Sequence, residues 1–247
     1  MSQFFDYRSH YRTGIFHDIT IFERIIPLIL IGIAIYILFK KKDIIRENKV
    51  LEKRIRYGMA IALAVLYISH YALRINLYGW TDTIVLPFHL CSIAMFVCVI
   101  MLFTMNKALH SFVLLAGTLG VVVSLSNPII GYNFKYYRYY QFMFAHGILL
   151  IAPLYVSFVH NYLPSKKDVI NGFIILQTLA IFMGVFNYFN NTDFFFMFVD
   201  PAKLEKFSVI KYVGGIPYYL IFVEVAALAY FYGSYRLFER IRNRKTV

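Results

Sequence analysis

The chain has 247 residues, 60% of them hydrophobic and 19% aromatic, with a mean hydropathy of +0.62. A soluble domain averages about half apolar residues; here the excess sits in uncharged runs with the charges gathered between them, which excludes an ordinary soluble domain. The net charge of +12 does not point to nucleic acid, because the basic residues flank apolar runs and form no soluble basic face.

The first twenty residues are polar and aromatic. They lack the basic segment and small-residue cleavage site of a signal peptide, so the first span is expected to act as an uncleaved anchor. A bilayer core about 30 Å thick takes roughly 20 apolar residues as helix. Seven runs have about that length: 19–39, with Glu23 and Arg24 near its start, then 57–73, 83–106, 109–130, 139–163, 169–190 and 212–235. They are too long for strands and show no period-2 alternation, and in lipid only internal hydrogen bonding satisfies the backbone. The sequence therefore predicts an all-α membrane protein, a single multi-pass domain over 1–247 formed by a bundle of about seven transmembrane helices. Cys91 and Cys98 share one run, and about 10 Å of helical rise between them precludes a disulfide.

Lysine and arginine counts set the orientation. The linker after the first span carries Lys40, Lys41, Lys42, Arg46, Lys49, Lys53, Arg54 and Arg56, and the tail carries Arg236, Arg240, Arg242, Arg244 and Lys245. With Lys107, Lys166 and Lys167, sixteen of the 25 basic residues fall on one side. That side is expected to be cytoplasmic, placing the carboxyl terminus inside and the amino terminus outside, in the cell membrane.

Polar groups inside apolar spans are costly and are functional candidates by default. The third span opens Leu86-Pro87-Phe88-His89-Leu90-Cys91-Ser92, the fifth holds Phe144-Ala145-His146-Gly147, and the sixth ends Asn187-Tyr188-Phe189-Asn190-Asn191. Counted from span starts, Cys91 lies about 12 Å deep and His146 about 10 Å deep, with Asn187 near an outer end. A thiol and an imidazole are the parts of a nucleophile and its base. Residues i and i+2 of a helix face differently, so His146 is a better partner for Cys91 than His89, provided the third span is helical there. Cys98 reads as packing, and His70, His110 and His160 as interfacial or structural groups. Glu224 lies within the seventh span, protonated or hydrogen-bonded to a tyrosine, with a proton relay as the functional alternative. Arg138 and Lys135 are interfacial anchors or grips for a lipid phosphate. The apolar stretch Phe194–Phe198 suits the interface or a fold back over a cavity.

Leu86-Pro87-Phe88-His89-Leu90-Cys91 and Tyr139-Tyr140-Gln141-Phe142-Met143-Phe144-Ala145-His146-Gly147 resemble the YwaF-like bacterial integral membrane proteins. So do Asn187-Tyr188 and, after a loop, Gly214-Gly215-Ile216-Pro217-Tyr218-Tyr219 with Glu224. The animal relatives of that family are transmembrane acyltransferases that remodel ether phospholipids. The resemblance, over about 65–230, implies that Cys91 is the acyl-carrying nucleophile and His146 its partner. Ser92 and Asn127-Pro128 stand where the family pattern has acidic residues, removing carboxylates that could orient the histidine.

The expectation is a Cys–His O-acyltransferase, taking phospholipid as acyl donor and lysophospholipid as acceptor in the outer leaflet. No cofactor, metal or nucleic acid is expected. His89, Asn187 and Tyr188 are candidates to stabilise the oxyanion. Lipid hydrolysis, acyl shuffling on lipoproteins, and a non-enzymatic lipid- or solute-binding module or small transporter are the alternatives.

Overall fold

A computed structural model describes residues 3–5, 19–80, 85–126, 128, 130–196 and 218–244. Seven helices account for most of them: α1 (Ile21–Glu47), α2 (Lys49–Tyr78), α3 (Leu90–Thr104), α4 (Lys107–Ser126), α5 (Tyr137–Val159), α6 (Lys166–Asn190) and α7 (Tyr218–Asn243). Among the described residues, six are long and apolar enough to cross a membrane, and α3 is a shorter apolar helix of 15 residues. The seven predicted runs are thus seven helices, with no strand among the described residues. The segment with Gly214 to Pro217, and residues 197–211, lie outside the described residues.

Two boundaries differ from the sequence reading. The basic linker is not a loop, since α1 continues to Glu47 and α2 starts at Lys49. Lys, Arg and Glu are strong helix formers, and Asn48 alone turns the chain, capping α2 by accepting from the Leu51 N–H at 3.0 Å. At about 1.5 Å per residue α1 and α2 reach about 40 and 45 Å, well beyond a bilayer core. The third span starts late. A residue before proline is pushed from the helical region, and residues 86–89 run irregularly before helix begins at Leu90. Cys91 therefore sits in the first turn of α3, not eight residues into a span, and the helix-face argument that separated it from His89 does not apply.

The chain divides into two compact units, Met1–Pro87 with Cys91–Tyr162, and Phe88–Leu90 with Leu163–Val247. In the first, α5 is the hub, packed by α1, α2 and α4. Two thirds of the most apolar window of α4 and of α5 is buried, against 11% for α1. The large apolar side chains that α1 exposes, Phe22, Ile29 and Leu30 among them, thus form a face suited to lipid.

Both ends of this unit are tied by polar contacts. At the α1–α2 junction, Arg46 of α1 donates to the carbonyls of Val159 (2.7 Å) and Phe158 (2.6 Å), taking up acceptors left at the end of α5. Glu52 pairs with Arg56 at 2.6 Å, and Arg56 also donates to the Leu102 carbonyl near the end of α3. The Tyr155 hydroxyl and His160 Nε2–H reach the same Glu52 carboxylate at 3.3 and 3.0 Å. Burial pulls the His160 imidazole below its ordinary pKa, outweighing the adjacent Glu52. Nearby, His110 is buried against Ser157 and the Pro153 carbonyl. At the opposite end, Glu23 closes a capping box with Thr20 and accepts from the Phe134 N–H at 2.7 Å, while Tyr139 donates to the Glu23 carbonyl.

Candidate functional site

Cys91 belongs to the first unit, where α3 meets α4. Its sulfur lies 3.3 Å from the Ser124 hydroxyl of α4. The seam is set by small residues: a Cβ on Gly117 would stand 3.2 Å from the Ala94 Cβ, so the glycine lets α3 approach. Gly117 closes a π-helical stretch, Val113–Gly117. Such an inserted turn rotates the helix beyond it relative to a regular α-helix, and Ser124 lies in that rotated part. On the other flank, Tyr71 of α2 donates to the Ser92 hydroxyl at 2.8 Å, fixing the residue after the cysteine. Cys91 lies in the first turn of α3, where backbone N–H groups lack intrahelical partners.

His146 is 5% exposed and lies on α5. Its Nδ1 is 2.8 Å from the Phe142 carbonyl. A carbonyl only accepts, so Nδ1 carries the hydrogen and Nε2 carries the lone pair of the neutral ring. Nε2 has no partner among the described residues. The ring stacks on Phe142, with centroids 4.0 Å apart. Arg138 lies over the other reach of Phe142 at 5.5 Å, donates to the Gln141 carboxamide oxygen, and is within electrostatic range of both His146 and Tyr71. Gln141 in turn donates to the Leu66 carbonyl of α2, and Ser69 bonds Tyr137 at 2.6 Å, so α2 and α5 are pinned together around this group. Gly147, next to the histidine, would meet Ile31 of α1 at 3.2 Å if it carried a Cβ.

The first unit thus holds Cys91, His146 and Arg138, and the second holds the remaining intramembrane candidates. Asn187 is engaged structurally. Its Nδ2 donates to the Phe194 carbonyl at 2.7 Å, and its Oδ1 accepts from the Phe194 N–H and the Thr192 hydroxyl. This organises the turn after α6 and occupies the amide otherwise assigned to an oxyanion. Tyr188 is 72% exposed and rests on Phe189. The His89 ring packs on Phe194, which also meets Phe88 and Phe186. Glu224 accepts from Gln177 through both oxygens, at 2.8 and 2.9 Å; among the described residues its hydrogen-bond partner is this α6 amide. Lys135 is exposed.

Ser124, Tyr71, Gln141 and Gln177 are the groups the sequence reading passed over. Each had the same signal as the residues it singled out, a polar side chain in an apolar run. Gln141 even stands within the quoted motif.

Long apolar helices with lipid-suited outer faces define the molecule as a multi-pass α-helical membrane protein. The sequence matches the TMEM164 family, a transmembrane family, over residues 14–235, and the chain belongs to that family. No curated protein and no solved structure matches it.

Proposed function

We propose that the protein is a membrane-embedded acyltransferase that moves an acyl chain between phospholipids through a thioester on Cys91, with His146 as general base. The observation that carries this reading is the fixed tautomer of His146. A buried imidazole whose Nδ1–H is held by a carbonyl presents Nε2 as a proton acceptor, in the same unit as a thiol at a helix start. The likeness of the His-Leu-Cys and His-Gly segments to YwaF-like proteins and their acyltransferase relatives supports the same assignment.

In the first half-reaction Nε2 takes the thiol proton and the sulfur attacks the ester carbonyl. The tetrahedral intermediate collapses, the carbon–oxygen bond breaks, and the imidazolium returns the proton to the departing lysolipid alkoxide. In the second, Nε2 takes the proton of an incoming lysolipid hydroxyl, whose oxygen attacks the thioester, and the sulfur leaves and regains the proton. First-turn N–H groups of α3 are the donors suited to the oxyanion, a role this reading moves away from Asn187. Arg138, near the start of α5, suits the lipid phosphate. The basic α1–α2 junction faces the cytoplasm by the charge bias, which puts Cys91 toward the outer leaflet of the cell membrane.

The test is acyl exchange between defined phospholipids and lysophospholipids in proteoliposomes. Wild-type protein is expected to transfer label and to form a hydroxylamine-sensitive acyl adduct that Cys91→Ala lacks. Full transfer by Cys91→Ala sinks the reading. Release of free fatty acid in place of transfer reassigns the same site to hydrolysis.

A further inference from the structure

Ser124 departs from what hydroxyls in apolar helices ordinarily do. With no water at hand, such a group bonds the carbonyl four residues back in its own helix. Thr118 and Ser126 of α4 do so, with Leu114 and Val122, and Thr104 and Thr178 do so elsewhere. Ser124 instead crosses to another helix, and its partner is the Cys91 sulfur.

The crossing is built into the seam. Gly117, Val121 and Ser124 follow one another at helical spacing on α4, and Cys91, Ala94 and Cys98 do so on α3. Ala94, Cys98 and Val121 are fully buried, and Gly117 admits Ala94 at the closest approach. The same contact line that packs the two helices therefore delivers the hydroxyl to the thiol. A thiol and a hydroxyl can each donate to the other while the sulfur is protonated. Once the proton has left, sulfur only accepts, and Ser124 is the donor. Hydrogen bonds to an ionised partner are about twice as strong as neutral ones, so the contact strengthens as the anion forms.

We infer that Ser124 is a positioning residue that stabilises the thiolate form of Cys91 and aims its sulfur, without itself exchanging a proton. The inference rests on Cys91 as the nucleophile, but it concerns the thiol alone and is measured without acyl transfer. In a Cys98→Ala background Cys91 is the single thiol of the chain. Its modification by methyl methanethiosulfonate, followed against pH in lipid nanodiscs by mass spectrometry, reads the thiolate fraction.

Ser124→Ala is expected to move the reaction profile up by about one pH unit, roughly a tenfold slower reaction at fixed pH below the midpoint. Ser124→Thr, which keeps a hydroxyl, is expected to stay close to the parent. A Ser124→Ala profile that superposes on the parent overturns the inference whatever the transfer assay shows. So does an equal shift in both variants, which assigns the effect to packing. If Cys91→Ala retains acyl transfer while the profile shift is present, the proposed reaction fails and the pairing of Ser124 with the thiol stands.

Discussion

The two ends of the first unit use buried polar groups in opposite ways. At the α1–α2 junction, the Glu52 carboxylate is met by Arg56, Tyr155 and His160, and Arg56 spends a further donor on the Leu102 carbonyl. Toward the other end, the histidine has one nitrogen committed and one presented, and the thiol has a single hydroxyl beside it. A closed network fixes helices, since each member costs its desolvation unless every partner is present. Groups that engage fewer partners keep hydrogen-bonding capacity that a substrate or a proton can take up. The contrast lies in how many partners each group engages among the described residues: several around Glu52, one each at His146 and Cys91.

Substitutions can break that contrast. The largest expected effect is at Cys91: Cys91→Ala should abolish transfer to background in the proteoliposome assay while leaving the melting temperature unchanged. His146→Ala should lower the transfer rate by about 10²–10⁴-fold; a variant within a factor of two of wild type would remove His146 from the site. Glu52→Ala should do the reverse. Stranding a buried Arg56 is expected to cost about 3–5 kcal/mol of stability, read by thermal unfolding in lipid, with the activity per folded molecule retained.

Gly117→Ala probes the seam more gently, because the added methyl requires the Ala94 contact to give by a few tenths of an ångström. Thiol modification at Cys91 should slow severalfold although no hydrogen-bonding group has been removed. The smallest effect is the pH response of His160, whose imidazole is held below its ordinary value of 6.5. In the interval between its folded value and 6.5 the unfolded chain binds the extra proton. Its contribution is thus fully present above 6.5 and is lost as pH falls below it. Melting should decline in that direction, and His160→Gln should flatten that part of the curve.

The number of helices was legible because it is written in composition, as uncharged runs of bilayer length, and the rare polar groups inside those runs, Cys91 and His146 among them, stood out in the same way. Three features were not. The start of α3 depended on Pro87 acting over several residues, where hydropathy alone carried the span back to 83. The continuity of α1 and α2 was hidden because charged residues mark a boundary for lipid but not for helix. The identities of partners were least accessible. Ser124 meets Cys91, and Gln177 meets Glu224, because of how each helix is rotated. A span apolar on every face carries little rotational information, and the π-helical stretch in α4 shifts the rotation again. Arg56 counted only as a topology charge in the sequence and Glu52 not at all, whereas in the fold they are a buried pair.

Gly147 follows the histidine directly and faces Ile31. Its missing side chain sets the spacing between α5, whose most apolar window is two thirds buried like that of α4, and α1, whose window is 11% buried. The consequence is mechanical. A methyl at this position would require Ile31 to give by a few tenths of an ångström, so a larger residue beside His146 changes how α1 seats against α5.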